Sequence, residues 1–204
     1  MTKHRIVGTY RGVVIDVAAW DAVGAEVGLS CAGMFTHEVD HAPLAGGLLD
    51  LDNVLTGRLR RIRDEQVFRA EPMETVVLRS LPPEVRADAV LIVGLGSPDD
   101  WTADLMERAT RVAVRQTNLM GARSAGMAPG MLDSGLTPER TKGTASAMMR
   151  GVTSAIDAEL RVAELGLGSA PTMGSWTFGA GAAHLEGAAE QFRAALRSVE
   201  TPSS

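Results

Sequence analysis

Residues 89–101, Ala-Val-Leu-Ile-Val-Gly-Leu-Gly-Ser-Pro-Asp-Asp-Trp, form the stretch that decides the fold of this chain. The apolar run at its start is rich in β-branched side chains, which predicts a strand buried on both faces. Gly94 and Gly96 follow at once and predict a tight turn, and the aspartates after Pro98 are typical of a helix start. Strand, turn and helix in this order predict an α/β protein.

The helix after this turn is predicted over residues 102–119. Its apolar positions recur every three or four residues, and Gly121 can adopt the left-handed conformation that closes a helix. Residues 124–128 predict the next strand, so that strand, helix and strand form a right-handed crossover. The inner face of the helix is expected to contain Trp101, Leu105, Ala109, Val112, Gln116 and Leu119.

The rest of the chain alternates between strand and helix signals. Residues 22–29 fit a short helix and a strand equally well, and the choice between them stays open. The other patterns predict one or two strands over 7–17, a helix over 48–62 entered through Gly46-Gly47, a strand over 75–81, a helix starting at Thr137-Pro138, a last strand over 161–167 and a final helix over 183–199.

The composition is that of one globular domain, expected over residues 1–200 with a disordered tail over 201–204. The chain has 204 residues, 45% of them hydrophobic, and a net charge of −5 with acidic and basic residues interspersed. We therefore expect neither nucleic acid nor a membrane as its partner. Cys31 is the only cysteine, which together with the lack of a signal-like start predicts a cytoplasmic location. Lys3 and Lys142 are the only lysines.

The sharpest motif match is His37-Glu38-Val39-Asp40-His41, which has the H-E-x-x-H spacing of zinc hydrolases. On a continuous helix, His37 and His41 would hold the metal and Glu38 would activate its water. Pro43 and the glycines after it prevent a helix from continuing beyond the motif. A polar loop is therefore the favoured interpretation, and we expect no metal and no other cofactor.

The glycine turns are the candidate ligand sites. Gly94, Gly96 and Ser97 lie where an open α/β sheet binds ligands, at the carboxyl end of a strand that faces a helix N-terminus. Gly46-Gly47 offers the same arrangement before another helix. At the turn of Gly94 and Gly96 a purely structural role is favoured, because carboxylates near the helix start would repel a phosphate. These carboxylates belong to Asp99, Asp100 and Asp104.

The glycine-rich stretch 166–181 is either a binding loop or part of the core. Trp176 and Phe178 could stack on a flat ligand, although packing over a core edge is the favoured interpretation. Cys31 has no histidine at motif spacing, so a buried, inert thiol is expected rather than a nucleophile.

Residues 46–127 resemble the N-terminal domain of leucyl aminopeptidases. The matching features are Gly-Gly-Leu-Leu at 46–49, the strand over 75–81, Val-Leu-Ile-Val-Gly-Leu-Gly at 90–96, and the helix over 102–119 followed by Gly-Ala-Arg-Ser at 121–124. The resemblance implies a three-layer α/β/α fold of the macro-domain type. Its sheet is then mixed and largely parallel in the middle.

The resemblance also bears on function. In that family the two-metal chemistry belongs to a separate C-terminal domain, whose asparagine-threonine-aspartate-alanine-glutamate-glycine signature does not occur in this sequence. It therefore implies a non-catalytic interaction or regulatory role, with a second copy or another protein as partner.

Macro domains suggest an alternative function, in which a nucleotide or ADP-ribose is bound or hydrolysed. The residues expected to hold such a ligand are Gly46, Gly47, Gly94, Gly96, Ser97 and Gly130. A zinc hydrolase using His37, Glu38 and His41 is the least favoured function.

Overall fold

Seven strands form one sheet in a computed structural model that describes residues 3–40, 43–131 and 133–201. Their order across the sheet is β1-β2-β7-β6-β3-β5-β4. The strands are β1 (His4–Tyr10), β2 (Val13–Ala18), β3 (Leu29–Met34), β4 (Thr75–Leu78), β5 (Ala89–Gly94), β6 (Ser124–Ala128) and β7 (Ser175–Gly179).

The middle of the sheet is parallel. Strands β2, β7, β6, β3 and β5 run in the same direction, and the edge strands β1 and β4 are antiparallel to their neighbours. Every residue of β5 is buried, which confirms the strand predicted from the apolar run. Because the central strands are parallel, their carboxyl ends meet at one edge of the sheet.

Helices cover both faces of the sheet, which confirms the three-layer arrangement. On one face α4, α5 and α6 enclose a core with Leu91, Met127 and Trp176. On the other face α2 and α3 pack over Val90 and Ile92. The helices are α1 (Thr36–Asp40), α2 (Gly46–Val54), α3 (Arg58–Asp64), α4 (Ala103–Leu119), α5 (Thr144–Glu164) and α6 (Leu185–Glu200), with short 3₁₀ turns at Pro98–Asp100 and Ala182–His184.

The predicted helix over 48–62 is wrong in its continuity. Thr56 and Gly57 both have positive φ, which interrupts the helical backbone and splits the helix into α2 and α3. The strand predicted over 75–81 ends at Leu78, because Ser80 also has a positive φ. Apolar spacing alone predicted neither break, since it does not register backbone conformation.

The second half of the chain brings further corrections. The helix expected from Thr137 begins at Thr144, and residues 138–143 form turns. The strand expected over 161–167 does not exist, because α5 continues to Glu164. The last strand is β7, inside the glycine-rich stretch. Thus Trp176 and Phe178 are fully buried, which confirms their assignment to the core.

Two smaller differences concern α4 and the region before β3. Leu119 was expected on the inner face of α4 but is exposed, and Met106, Ala113 and Val114 are buried instead. Residues 22–29 fit a helix and a strand equally well by sequence. In the structure residues 22–28 form turns and bends, and β3 begins at Leu29. No helix within the described residues is long and apolar enough to cross a membrane.

Candidate functional site

An open cleft of about 990 Å³ lies at the carboxyl edge of the parallel strands. Its floor includes Ala32 and Gly33 of β3, residues 128–131 at the end of β6 and residues 178–181 at the end of β7. Much of this floor consists of backbone and small side chains, so a ligand can approach main-chain amides closely. The starts of α2 and α5 and one side of α6 complete the cleft.

The start of α2 forms one wall. Gly47 lines the cleft, and the N-cap residue Ala45 provides no side-chain hydrogen bond to the first helical amides. Gly46 has a left-handed φ of 50°, and the Asp133 side chain lies directly against its Cα. Asp21 packs beside Gly47, with its Cβ 3.4 Å from where a Cβ of residue 47 would lie. The Asp133 carboxylate and the Asp21 side chain, whose Oδ1 accepts hydrogen bonds from the Val23 and Gly24 amides, therefore lie beside this helix end.

The loop after β6 forms the second wall. Gly130 lines the cleft with a φ of 61° and open space around its Cα. The next turn contains Ser134, whose hydroxyl donates a 2.9 Å hydrogen bond to Oε1 of Glu38. The structure thus brings Gly47 and Gly130 to the same cleft, with Gly46 directly beside it.

Glu38 holds this loop and the start of α1 together. Its Oε2 accepts a 2.7 Å hydrogen bond from the backbone amide of Phe35, as the glutamate of a capping box does. Burial raises the pKa of the Glu38 carboxyl, and the bonds from Phe35 and Ser134 partly oppose this effect. The role visible for Glu38 is therefore to position two segments.

Residues 37–40 of the H-E-x-x-H motif lie on α1 rather than in a loop, so the loop expectation is wrong for them. The helix ends at Asp40, before Pro43, as the proline requires. His41 lies outside the described residues. Among the residues that are described, no group of three or more His, Cys, Asp or Glu side chains could hold a metal ion.

The turn after β5 is closed. A Cβ at Gly94 would meet the Glu71 carbonyl and lie 2.6 Å from the carbonyl carbon of Ala70, and one at Gly96 would lie 2.8 Å from Pro72. Ser97 accepts a hydrogen bond from the Asp99 amide. Gly94, Gly96 and Ser97 do not line the cleft.

The end of the glycine-rich stretch and Trp20 form the third wall, of which the sequence indicated only the glycine-rich stretch. Residues 179–181, at the end of the glycine-rich stretch, line the cleft, and Phe178 beneath them stacks on Phe192 with ring centroids 3.8 Å apart. Trp20 also lines it and packs against Gly126 and Gly179, where a Cβ would lie 2.5 Å and 3.0 Å from carbon atoms of the indole. Small residues at both positions were the signal for this contact.

The comparisons with known proteins identify the family. The profile of the N-terminal domain of the cytosol aminopeptidase family matches residues 33–162, more than half of the chain. The chain belongs to this family. A probable cytosol aminopeptidase of Alkaliphilus oremlandii is 30% identical over 96 residues, which are 47% of this chain and 19% of that protein. The chain therefore spans only a small part of this curated relative.

Solved structures show which fold the chain shares. A tomato leucine aminopeptidase variant superposes with a TM-score of 0.66 at 20% identity, over 90% of this chain and 35% of that one. A macrodomain of Oceanobacillus iheyensis with ADP has a TM-score of 0.66 at 8% identity, over 98% of both chains. At these identities the likeness shows the fold, which is macro-like.

Within this cytosol aminopeptidase N-terminal domain, Cys31 lies on the side of the sheet that α4, α5 and α6 cover, and it does not line the cleft. It is fully buried in the core with Leu91 and Met127, and burial raises the pKa of its thiol. A thiol held protonated in an apolar core is a poor nucleophile, which supports the inert role expected from the sequence.

Proposed function

We propose that this aminopeptidase-family domain is a binding module that takes a small nucleotide-like molecule in the cleft. The observation that carries the proposal is the backbone-rich wall where the loop at Gly130 and residues 179–181 converge with the starts of α2 and α5. Open α/β sheets bind ligands at the carboxyl ends of their strands, where helix N-termini present unpaired amides. We propose the role as binding rather than catalysis.

The macro-like fold supports the ligand class. The Oceanobacillus iheyensis macrodomain that shares this fold was solved with ADP. Since the two chains are 8% identical, this support is an analogy between folds and carries over no residue. A cleft of about 990 Å³ lies at the upper end of the volumes typical of ligand sites, so it has room for a nucleotide.

The test is a calorimetric titration of the whole chain with ADP and ADP-ribose. We expect saturable binding that is lost in Gly47→Glu, because this variant places a carboxylate and its side chain on the cleft wall. Gly47→Ala is the size control, since a Cβ there makes no contact shorter than 3.4 Å. Ser198→Glu adds the same charge at an exposed position outside the cleft.

Two results would overturn this proposal. One is the absence of heat with either ligand at millimolar concentration, and the other is unchanged binding in Gly47→Glu. Turnover of a leucyl-peptide substrate by the purified chain would instead contradict the non-catalytic part.

Self-association is a second candidate role, supported by an exposed apolar patch. Helices α4 and α5 run side by side in the same direction, as the ion pairs Arg150–Glu107 and Arg115–Glu159 show. Their carboxyl ends expose apolar side chains that single-chain packing leaves uncovered. This patch, called the end patch, comprises Leu119 (80% exposed), Val162 (41%), Leu165 (53%) and Leu167 (77%).

The end patch gives self-association a direct test. We expect light scattering to show a discrete oligomer that becomes a monomer in the double variant Leu119→Asp, Leu167→Asp, because a buried, unpaired charge opposes the contact. The exposed Val67, far along the chain from the patch, provides the control variant Val67→Asp. A wild-type monomer at high concentration would remove this candidate.

A further inference from the structure

The start of α5 differs from the other helix end at the cleft. Lys142, Gly143 and Thr144 all line the cleft, and Gly143 caps the helix in a left-handed conformation with φ 81°. No side chain caps the first amides, and the first turn contains no acidic residue. The helix has 21 residues, so its N-terminus carries the full positive end of the backbone dipole.

The Thr144 hydroxyl is an independent sign of a ligand. Thr144 is 5% exposed, and its Oγ1 is buried with no hydrogen-bond partner among the described residues. Buried hydroxyls in proteins are almost always hydrogen-bonded, because an unpaired one loses its hydration without compensation. A group with an acceptor oxygen at this end of the cleft would provide the missing partner.

Lys142 adds a positive charge beside this hydroxyl. It is exposed, and within the described part of the chain no carboxylate forms an ion pair with it. The start of α2 has the opposite character, since Asp133 and Asp21 lie against its two glycines. An anion entering the cleft is therefore repelled at α2 and attracted at α5.

We propose that Lys142, Gly143 and Thr144 form an anion subsite that holds a phosphate group at the start of α5. The inference deepens the proposed function and rests on it, because it locates the phosphate of a nucleotide-like ligand within the cleft. The lysine supplies a mobile cation, the hydroxyl donates one hydrogen bond, and the helical amides that follow Thr144 donate others, since the Thr144 amide already donates to the Thr141 carbonyl at 3.2 Å. A nucleotide and free pyrophosphate share this chemistry.

The experiment titrates the whole chain with pyrophosphate, ADP and adenosine separately. In the wild type we expect pyrophosphate and ADP to bind, and adenosine to bind more weakly than ADP. Lys142→Ala should weaken both phosphate ligands about tenfold, which is the loss of one charge-assisted contact. Thr144→Val should weaken them several-fold, and neither change should alter adenosine binding.

Matched variants serve as controls. Lys3→Ala removes the other lysine, which does not line the cleft, and Thr153→Val repeats the threonine change elsewhere on α5, where the hydroxyl bonds to Met149. Both should bind every ligand as the wild type does. Unchanged thermal unfolding of Lys142→Ala and Thr144→Val without ligand verifies that the fold is intact.

The outcomes separate this inference from the proposed function. ADP binding that is lost in Gly47→Glu but unaffected by Lys142→Ala overturns the subsite and leaves the binding module standing. Pyrophosphate binding that depends on Lys142 and Thr144, without any nucleotide binding, supports the subsite and overturns the nucleotide proposal. If none of the three ligands binds, both are overturned.

Discussion

The two glycine turns at the carboxyl edge of the sheet look alike in sequence and differ in structure. At Gly94 and Gly96 the turn is covered by residues 70–74, and its backbone is paired with them. Gly94 N donates to the Glu74 carbonyl at 2.7 Å, and Gly96 N donates to the Ala70 carbonyl at 2.9 Å. At the turn of Gly46 and Gly47 the Asp133 side chain covers Gly46, whereas Gly47 faces the cleft.

The difference teaches what makes a glycine turn available to a ligand. Both turns follow the same local rule, in which glycine permits a close approach to the backbone. At the turn of Gly94 and Gly96, residues 70–74 make that approach, so the amides of the two glycines are already paired. At the second turn one side is left open. The segment that packs across a glycine turn decides its role, and this segment is distant in sequence.

The largest expected effect is at the closed turn. Gly94→Ala should lower the free energy of unfolding by about 3 kcal/mol, because the new Cβ overlaps the backbone of Ala70 and Glu71, which cannot move aside cheaply. Gly47→Ala should change it by less than about 1 kcal/mol, since its nearest neighbours leave room for a Cβ. Urea unfolding of both variants measures the contrast, and equal effects would abolish it.

An intermediate effect is expected at Gly46. Gly46→Ala should cost about 2 kcal/mol, because alanine is strained at φ 50° and its Cβ would lie 2.7 Å from the Cβ of Asp133. In an Asp133→Gly background the cost should fall to about 1 kcal/mol, the part due to φ alone. A double-mutant cycle by urea unfolding measures the coupling. Additive effects would show that Asp133 does not restrict this position.

The smallest effect concerns the Glu38 contact that holds the loop beside the open turn. The raised pKa of Glu38 means that its ionisation costs folding free energy. The wild type should therefore lose stability relative to Glu38→Gln as pH rises from below about 4.3, the ordinary glutamate pKa, through the folded-state pKa. Unfolding at several pH values measures this difference. A constant difference across that range would contradict the shift.

The fold was largely predictable, because its decisive elements carry strong local patterns. The buried strand at residues 89–94 and helix α4 lie where the apolar run and the helical periodicity predict them. The errors arose where local patterns conflict with packing. The apolar residues at 161–167 predict a strand, but α5 continues to Glu164, the chain turns after it, and Val162, Leu165 and Leu167 are exposed.

The candidate site was predictable only in part. Gly47 and Gly130 lie on the cleft, whereas Gly94, Gly96 and Ser97 do not. Trp20, Lys142 and Thr144 were not candidates, because no local motif marks a residue that reaches a cleft from a distant part of the chain. Burial of β7 between β2 and β6 is what brings the segments around it together.

The sequence by itself determined the architecture and the family of this protein. Hydrophobic periodicity and glycine turns act over a few residues, so they can be read directly from the chain. The tertiary structure alone decided which glycines are covered, which helix start is flanked by carboxylates and which has a lysine that pairs with no carboxylate of the described residues. These properties depend on contacts between segments far apart in sequence, and such contacts are set by the strand order and by packing.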